Sequence, residues 1–161
     1  VRPPDVDFAI RRASAADLGN VIILWRAYQQ ELGIDLCFQG FEEELATLPG
    51  RYAPPAGCLL VATCRGQTAG CVGLRTLSPG RGEIKRMVVA PAWRRRGVAE
   101  RLMQRLLQDA ATMGLAEVVL DTLPSMTAAR RLYAGFGFAP IAPYYETPLA
   151  QTVFLGRRLA G

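Results

Sequence analysis

The run from Glu83 to Met113 constrains the fold more than any other part of the sequence. Residues 83–90, "EIKRMVVA", have a polar first half and an apolar second half, as in a strand with one end exposed or lining a cleft. Pro91 and three consecutive arginines, Arg94, Arg95 and Arg96, separate it from Gly97. Val98, Leu102, Leu106, Ala110 and Met113 then recur at helical spacing until Gly114 stops the helix. A strand followed through a short loop by a helix with one apolar stripe belongs to an α/β architecture.

The rest of the chain extends this pattern. Residues 7–13 alternate as a first strand. Ser14 caps a helix reaching Leu32, with Leu18, Ile22, Trp25 and Gln29 along one face and Gly33 as its stop. A shorter helix fits 40–48. Residues 58–64 and 68–77 read as strands joined across Arg65-Gly66-Gln67. After the 97–113 helix come a buried-type strand at 116–123, a helix at 125–136 and two last strands at 137–145 and 150–159. The order β-α-α-β-β-β-α-β-α-β-β is that of an α/β fold with a mixed sheet, read as one domain over residues 1–161.

Composition narrows the chemistry. The chain contains no histidine, which removes Ser-His and Cys-His mechanisms, His-containing zinc sites and the usual general base. Acid–base work near neutral pH then falls to a carboxylate, tyrosine, lysine or water. Cys37, Cys58, Cys64 and Cys71 form no C-x-x-C, and three sit in apolar strand-like stretches as small buried hydrophobes. No apolar run approaches the ~18 residues of a membrane span, so a cytoplasmic protein without membrane partners is expected.

The net charge of +5 is local: five arginines (94, 95, 96, 101 and 105) lie within twelve residues. They crowd a helix amino terminus, where basic side chains are disfavoured by ~0.3–1 kcal/mol each. A solvated surface, a nucleic-acid contact and a phosphate site all account for such a cluster. No P-loop or dinucleotide fingerprint is present. The unpaired amides of the helix start nevertheless make an anion site, and Gly97 lets a ligand approach. Pyrophosphate is the leading candidate, and no nucleic-acid module is apparent.

Arg94-x-x-Gly97-x-Ala99, after a strand and a proline, resembles the acetyl-coenzyme A binding segment of the GNAT N-acetyltransferase superfamily. The element order matches that fold along essentially the whole chain. Residues 128–140, "AARRLYAGFGFAP", resemble the family's later helix, and Glu83 lies eleven residues before Arg94, where some members keep a catalytic glutamate. One departure is Met126, where many members have asparagine seven residues before the tyrosine.

The resemblance implies acetyl transfer from acetyl-CoA to a primary amine of a small molecule, amino acid or peptide, with no metal. Amides from Arg95 through Arg96, Gly97 and Val98 to Ala99 would wrap the pyrophosphate, with Arg94 and its neighbours reaching the phosphates. The strand edge at Met87, Val88 and Val89 would pair with the pantetheine arm. Tyr133 would protonate the departing thiolate; its alternative is a packed aromatic with its hydroxyl at the rim. Glu83 would serve as base through a water; its alternative is a surface carboxylate paired with Lys85 or Arg81.

For the acceptor mouth the family pattern points to Tyr28, Phe38, Phe41, Tyr52, Tyr144 and Tyr145. The acids there are Glu31, Asp35 and Glu42 to Glu44, though the three glutamates equally read as a solvated helix face. Glu83 and Asp121 are the other sources of acidity. A non-catalytic acyl-CoA-binding module is the competing reading, and a homodimer is compatible with the family.

Overall fold

The computed structural model describes residues 7–33 and 40–159. Its core is a seven-stranded sheet: β1 (Ala9–Arg12), β2 (Gly57–Cys64), β3 (Gln67–Ser78), β4 (Arg81–Val89), β5 (Glu117–Thr122), β6 (Ala139–Pro140) and β7 (Val153–Arg158). The helices are α1 (Leu18–Leu32), α2 (Phe41–Ala46), α3 (Val98–Thr112) and α4 (Thr127–Gly135). The strands lie in the order β1-β2-β3-β4-β5-β7-β6, and only β4 and β5 run parallel. Element order is the expected one.

Burial on both faces explains why β2 reads as a nearly unbroken apolar run. Cys58, Leu60, Ala62 and Cys64 pack toward α3, whereas Leu59 and Val61 pack toward α1 and α2. The α3 stripe is buried as its spacing requires, with Leu102, Leu106 and Ala110 fully covered. Removing one such leucine to alanine costs ~2–5 kcal/mol. On α1 the buried line runs through Val21, Leu24 and Trp25, within the apolar stripe that Val21, Leu24 and Tyr28 widen beyond Leu18, Ile22, Trp25 and Gln29. Cys58, Cys64 and Cys71 are free and buried, as expected; Cys37, Phe38 and Asp35 lie outside the described residues.

Two local differences have clear causes. The strand expected over 137–145 is reduced to two residues. Pro140 and Pro143 have no N–H for a ladder, so the chain leaves the sheet. Tyr144 and Tyr145 then fold back, each edge-on to Phe154 at 5.2 Å. At the start of α1, Ala15–Asp17 form a 3-10 turn, which Ser14 caps and Asp17 closes as a capping box. The Asp17 carboxylate accepts from the Ser14 amide at 2.7 Å and the Ser14 hydroxyl at 3.0 Å.

The site is positioned by a seam and a bulge. Pairing between β4 and β5 starts at Arg81–Glu117 and ends at Glu83–Val119, so the β4 edge beyond Glu83 has no strand partner on that side. Against β3, Gly73 pairs with Lys85 and Cys71 with Val88, so three β4 steps match two β3 steps. The extra residue is a β-bulge, and Arg86 there has φ 59. It turns Lys85 and Arg86 onto the same face, with Arg86 reaching Glu44 of α2 at 2.9 Å. Strict alternation would have sent Arg86 to the opposite face.

Candidate active site

A cavity opens where β4 and β5 part. Ile84, Lys85, Arg86 and Met87 line it from β4, and Leu120, Asp121 and Thr122 from β5. Tyr28 and Leu32 close it from α1, and Met126 and Tyr133 from the start and interior of α4.

Tyr133 is buried, with its ring edge-on to Phe138 at 5.9 Å. Burial chiefly, with the nearby Tyr28 and Asp121, pushes its hydroxyl pKa well above the ordinary tyrosine value. It is therefore a protonated donor at neutral pH. Tyr28 is raised to about 12, again mainly by burial, and Arg86 counteracts part of the rise.

Met126, in the position that departs from the family pattern, takes two hydroxyl contacts. The Tyr28 hydroxyl approaches its sulfur at 3.7 Å and the Thr122 hydroxyl at 3.6 Å. A thioether is only a weak acceptor, so it holds both hydroxyls in the cavity wall without binding them tightly.

Glu83 is buried, not at the surface, although it does pair with Lys85, one of the two partners the sequence allows. It is 1% exposed and held on both oxygens: Arg75 Nε donates to Oε1 at 2.8 Å, and the Tyr144 hydroxyl donates to Oε2 at 2.7 Å. It lies one residue before the cavity-lining stretch of β4. Lys85 connects it to the cavity, with Nζ 3.9 Å from Glu83 and 3.8 Å from Asp121. Burial lowers the Lys85 pKa, against the pull of both carboxylates. Asp121 itself faces the cavity and accepts from the Tyr145 hydroxyl.

A second carboxylate anchors the other side. Glu44 accepts from the Tyr52 hydroxyl at 2.8 Å and from Arg86 Nε at 2.9 Å, and lies 4.0 Å from Arg75. Of the three consecutive glutamates, Glu42 and Glu43 are exposed, with Glu42 paired to Arg26 at the surface, whereas Glu44 is half-buried and paired with Arg86. Phe41 and Tyr52 are core residues and do not line the cavity.

The arginine-rich turn has the form of an anion cradle. Gly97, the residue before α3, has φ 82, and Arg95 has φ 62. Gly97 supplies no side-chain cap. The amides of Arg95, Arg96, Gly97, Val98 and Ala99 meet no acceptor among the described residues. A Cβ at Gly97 would meet nothing within 4 Å, so the glycine serves backbone conformation rather than packing. Successive amides without acceptors, with a helix dipole behind them, suit an anion such as pyrophosphate.

The side chains around the cradle are less free than expected. Arg94 donates to both oxygens of Glu31 at 2.8 and 2.7 Å, and its Nε to the Val89 carbonyl at 3.1 Å. Arg96 lies over the Trp93 ring at 5.3 Å. Met87, Val88 and Val89 occupy the stretch of β4 whose outer edge no strand covers, the geometry that pairing with an extended arm requires.

These features coincide with a recognised family. A model of the Acetyltransferase (GNAT) family matches residues 22–138. The chain belongs to the GNAT acetyltransferase family. This acetyltransferase is 38% identical over 141 residues to an uncharacterized N-acetyltransferase of Schizosaccharomyces pombe, covering 86% of each chain. A GNAT-family acetyltransferase from Staphylococcus aureus superposes with a TM-score of 0.81 at 19% identity, over 96% of this chain and 100% of that one. A Salmonella typhimurium acetyltransferase solved with acetyl-CoA superposes at 0.76, with 20% identity and 96% and 95% coverage. The last two likenesses show the fold.

Of the residues singled out from the sequence, Tyr133 and Met87 line one cavity, and the arginine turn lies outside its lining. Sequence reasoning missed Arg75 and Arg86, because cross-strand pairing and a bulge decide where those side chains go. Alternation in β4 carries no trace of either.

Proposed function

We propose that this acetyltransferase moves the acetyl group of acetyl-CoA to a primary amine held in the cavity between β4 and β5. The observation that carries the reading is that Tyr133, Asp121 and the uncovered β4 edge at Met87 meet at one opening, and that β4 leads on along the chain to an α3 terminus without a side-chain cap. Acetyl-CoA is consumed as a substrate and supplies the acetyl group as a thioester.

The amides of Arg95 to Ala99 hold its pyrophosphate, and the β4 edge at Met87, Val88 and Val89 aligns the pantetheine as an added strand. A β4 amide polarises the thioester carbonyl. The amine enters between Tyr28 and Asp121. Acetyl transfer needs a neutral amine, whereas a lysine-like amine has a pKa near ~10.4. Asp121, which faces the cavity, takes that proton directly or through water. Glu83 acts behind it through Lys85, whose ammonium lies between the two carboxylates. The new C–N bond forms as the C–S bond breaks, the Tyr133 hydroxyl proton goes to the leaving thiolate, and the proton shed by the acylated nitrogen returns to the Tyr133 oxygen.

Acetyl-CoA should raise the melting temperature, and thiol release should rise over background when a panel of primary amines is added. No stabilisation at saturating acetyl-CoA would remove the reading. Stabilisation without amine-dependent thiol release would favour a non-catalytic acyl-CoA-binding module.

A further inference from the structure

The bulge that turns Arg86 toward α2 leaves its guanidinium only partly used. The side chain is 5% exposed, its Nε donates to Glu44, and its carbon lies 5.1 Å above the Phe41 ring. Its Nη2 is buried and has no hydrogen-bond partner among the described residues. A buried guanidinium nitrogen without an acceptor is rare, because desolvation of a charged donor is costly when nothing replaces water. Arg86 also lines the cavity, and its charge reaches the Tyr28 hydroxyl on the opposite wall. The residue that carries the spare nitrogen is therefore part of the wall of the room in which the amine is to be acetylated.

Charge balance points the same way. Glu44, Glu83 and Asp121 face Arg75, Lys85 and Arg86 in one connected group, linked by the contacts already described. Its formal charge is zero. A simple alkylammonium entering this group would add an uncompensated positive charge in a poorly solvated place. A zwitterion would add none. Its ammonium would meet Asp121, and its carboxylate would satisfy the donor that the protein leaves open.

We infer that the acceptor is an amino acid, whose carboxylate is bound by Arg86 Nη2 while Asp121 receives the amine. This deepens the acetyltransferase reading and rests on it. The planar guanidinium, fixed by Glu44 on one side and Phe41 beneath, presents its outer edge in one orientation. Tyr28 and Met126 form the wall beyond.

The test compares matched acceptors on the intact enzyme: glycine, alanine, leucine, phenylalanine, methionine and glutamate, each beside its carboxamide, with simple alkylamines alongside. At least one free acid should be acetylated with kcat/KM roughly 10- to 100-fold above its amide, the value of a hydrogen-bonded charge. In Arg86→Gln that ratio should collapse toward one. Arg86→Lys, which keeps the charge but not the fork, should give an intermediate ratio. Because the acid-to-amide ratio is first read on the unaltered protein, a variant that fails to fold does not decide the matter.

Equal turnover of acids and amides, or preference for alkylamines, would overturn the inference while leaving acetyl transfer intact. Turnover of no amino acid despite acetyl-CoA binding would overturn it as well. Failure to bind acetyl-CoA at all would instead remove the reading on which it rests.

Discussion

Arg94 and Glu31 are joined by two parallel hydrogen bonds, 2.8 and 2.7 Å long, between the arginine turn and the last turn of α1. Both side chains are near half exposed, so the pair is worth at most ~1 kcal/mol. Its consequence is positional. Glu31 occupies the guanidinium that the family resemblance assigns to a phosphate. Replacing Glu31→Gln should release Arg94 and tighten acetyl-CoA binding by about two- to fivefold. Calorimetric titration of both proteins checks this, and weaker binding in the variant would speak against a competing role.

The same cradle sets a salt dependence. Backbone amides and arginines that hold a pyrophosphate at the surface are screened by mobile ions, with a Debye length of ~10 Å at 0.1 M and ~3 Å at 1 M. Acetyl-CoA affinity should fall steadily over that range. Affinity independent of salt would place the main binding energy away from residues 94–99.

Tyr133 is the proton donor in this account. Tyr133→Phe should lower kcat by about 100-fold, within the usual span for a general acid, while the acetyl-CoA Kd changes little. Burial raises the hydroxyl pKa, so the protonated form persists with rising pH and this group sets no alkaline limb below pH ~10. Unchanged turnover in the variant would make Tyr133 a packing residue, as its contact with Phe138 alone would suggest.

Asp17 offers a stability test far from the cavity. The Arg11 guanidinium, 2.6 Å away, holds its carboxyl well below the usual carboxylate range, aided by the Ser14 bonds and opposed by burial. A carboxylate with a depressed folded pKa contributes fully above its unfolded value of ~3.9 and loses that contribution as pH falls toward the folded value. Asp17→Asn should therefore cost about 1 kcal/mol at pH 7, because the amide keeps an acceptor for Ser14 but loses the charge that pairs with Arg11. The gap should narrow below pH ~4. Denaturant unfolding at both pH values measures it.

Local periodicity made the architecture readable. The α3 stripe, the two-sided β2 run and the turn Arg94-Arg95-Arg96-Gly97 depend on neighbours within a few residues, and each lies where its spacing indicates. The overlong β6 shows the limit: apolar composition suggested a strand, but Pro140 and Pro143 removed the donors that pairing needs. Glu44 looked identical to Glu42 in sequence, because only the approach of Arg86 and Tyr52 half-buries one and leaves the other solvated. Arg86 was hidden for a related reason. A one-residue bulge reverses the face on which it lies, and a bulge has no signature in the pattern of residues 83–90.

The central claim is acetyl transfer to nitrogen in the β4–β5 cavity, and mass spectrometry of the products tests it most directly. Acetyl-CoA labelled in its acetyl group should yield a labelled N-acetyl amine in a one-to-one ratio with free coenzyme A, and Tyr133→Phe should slow both together. Release of coenzyme A with label recovered only as acetate, across the whole amine panel, would contradict the account.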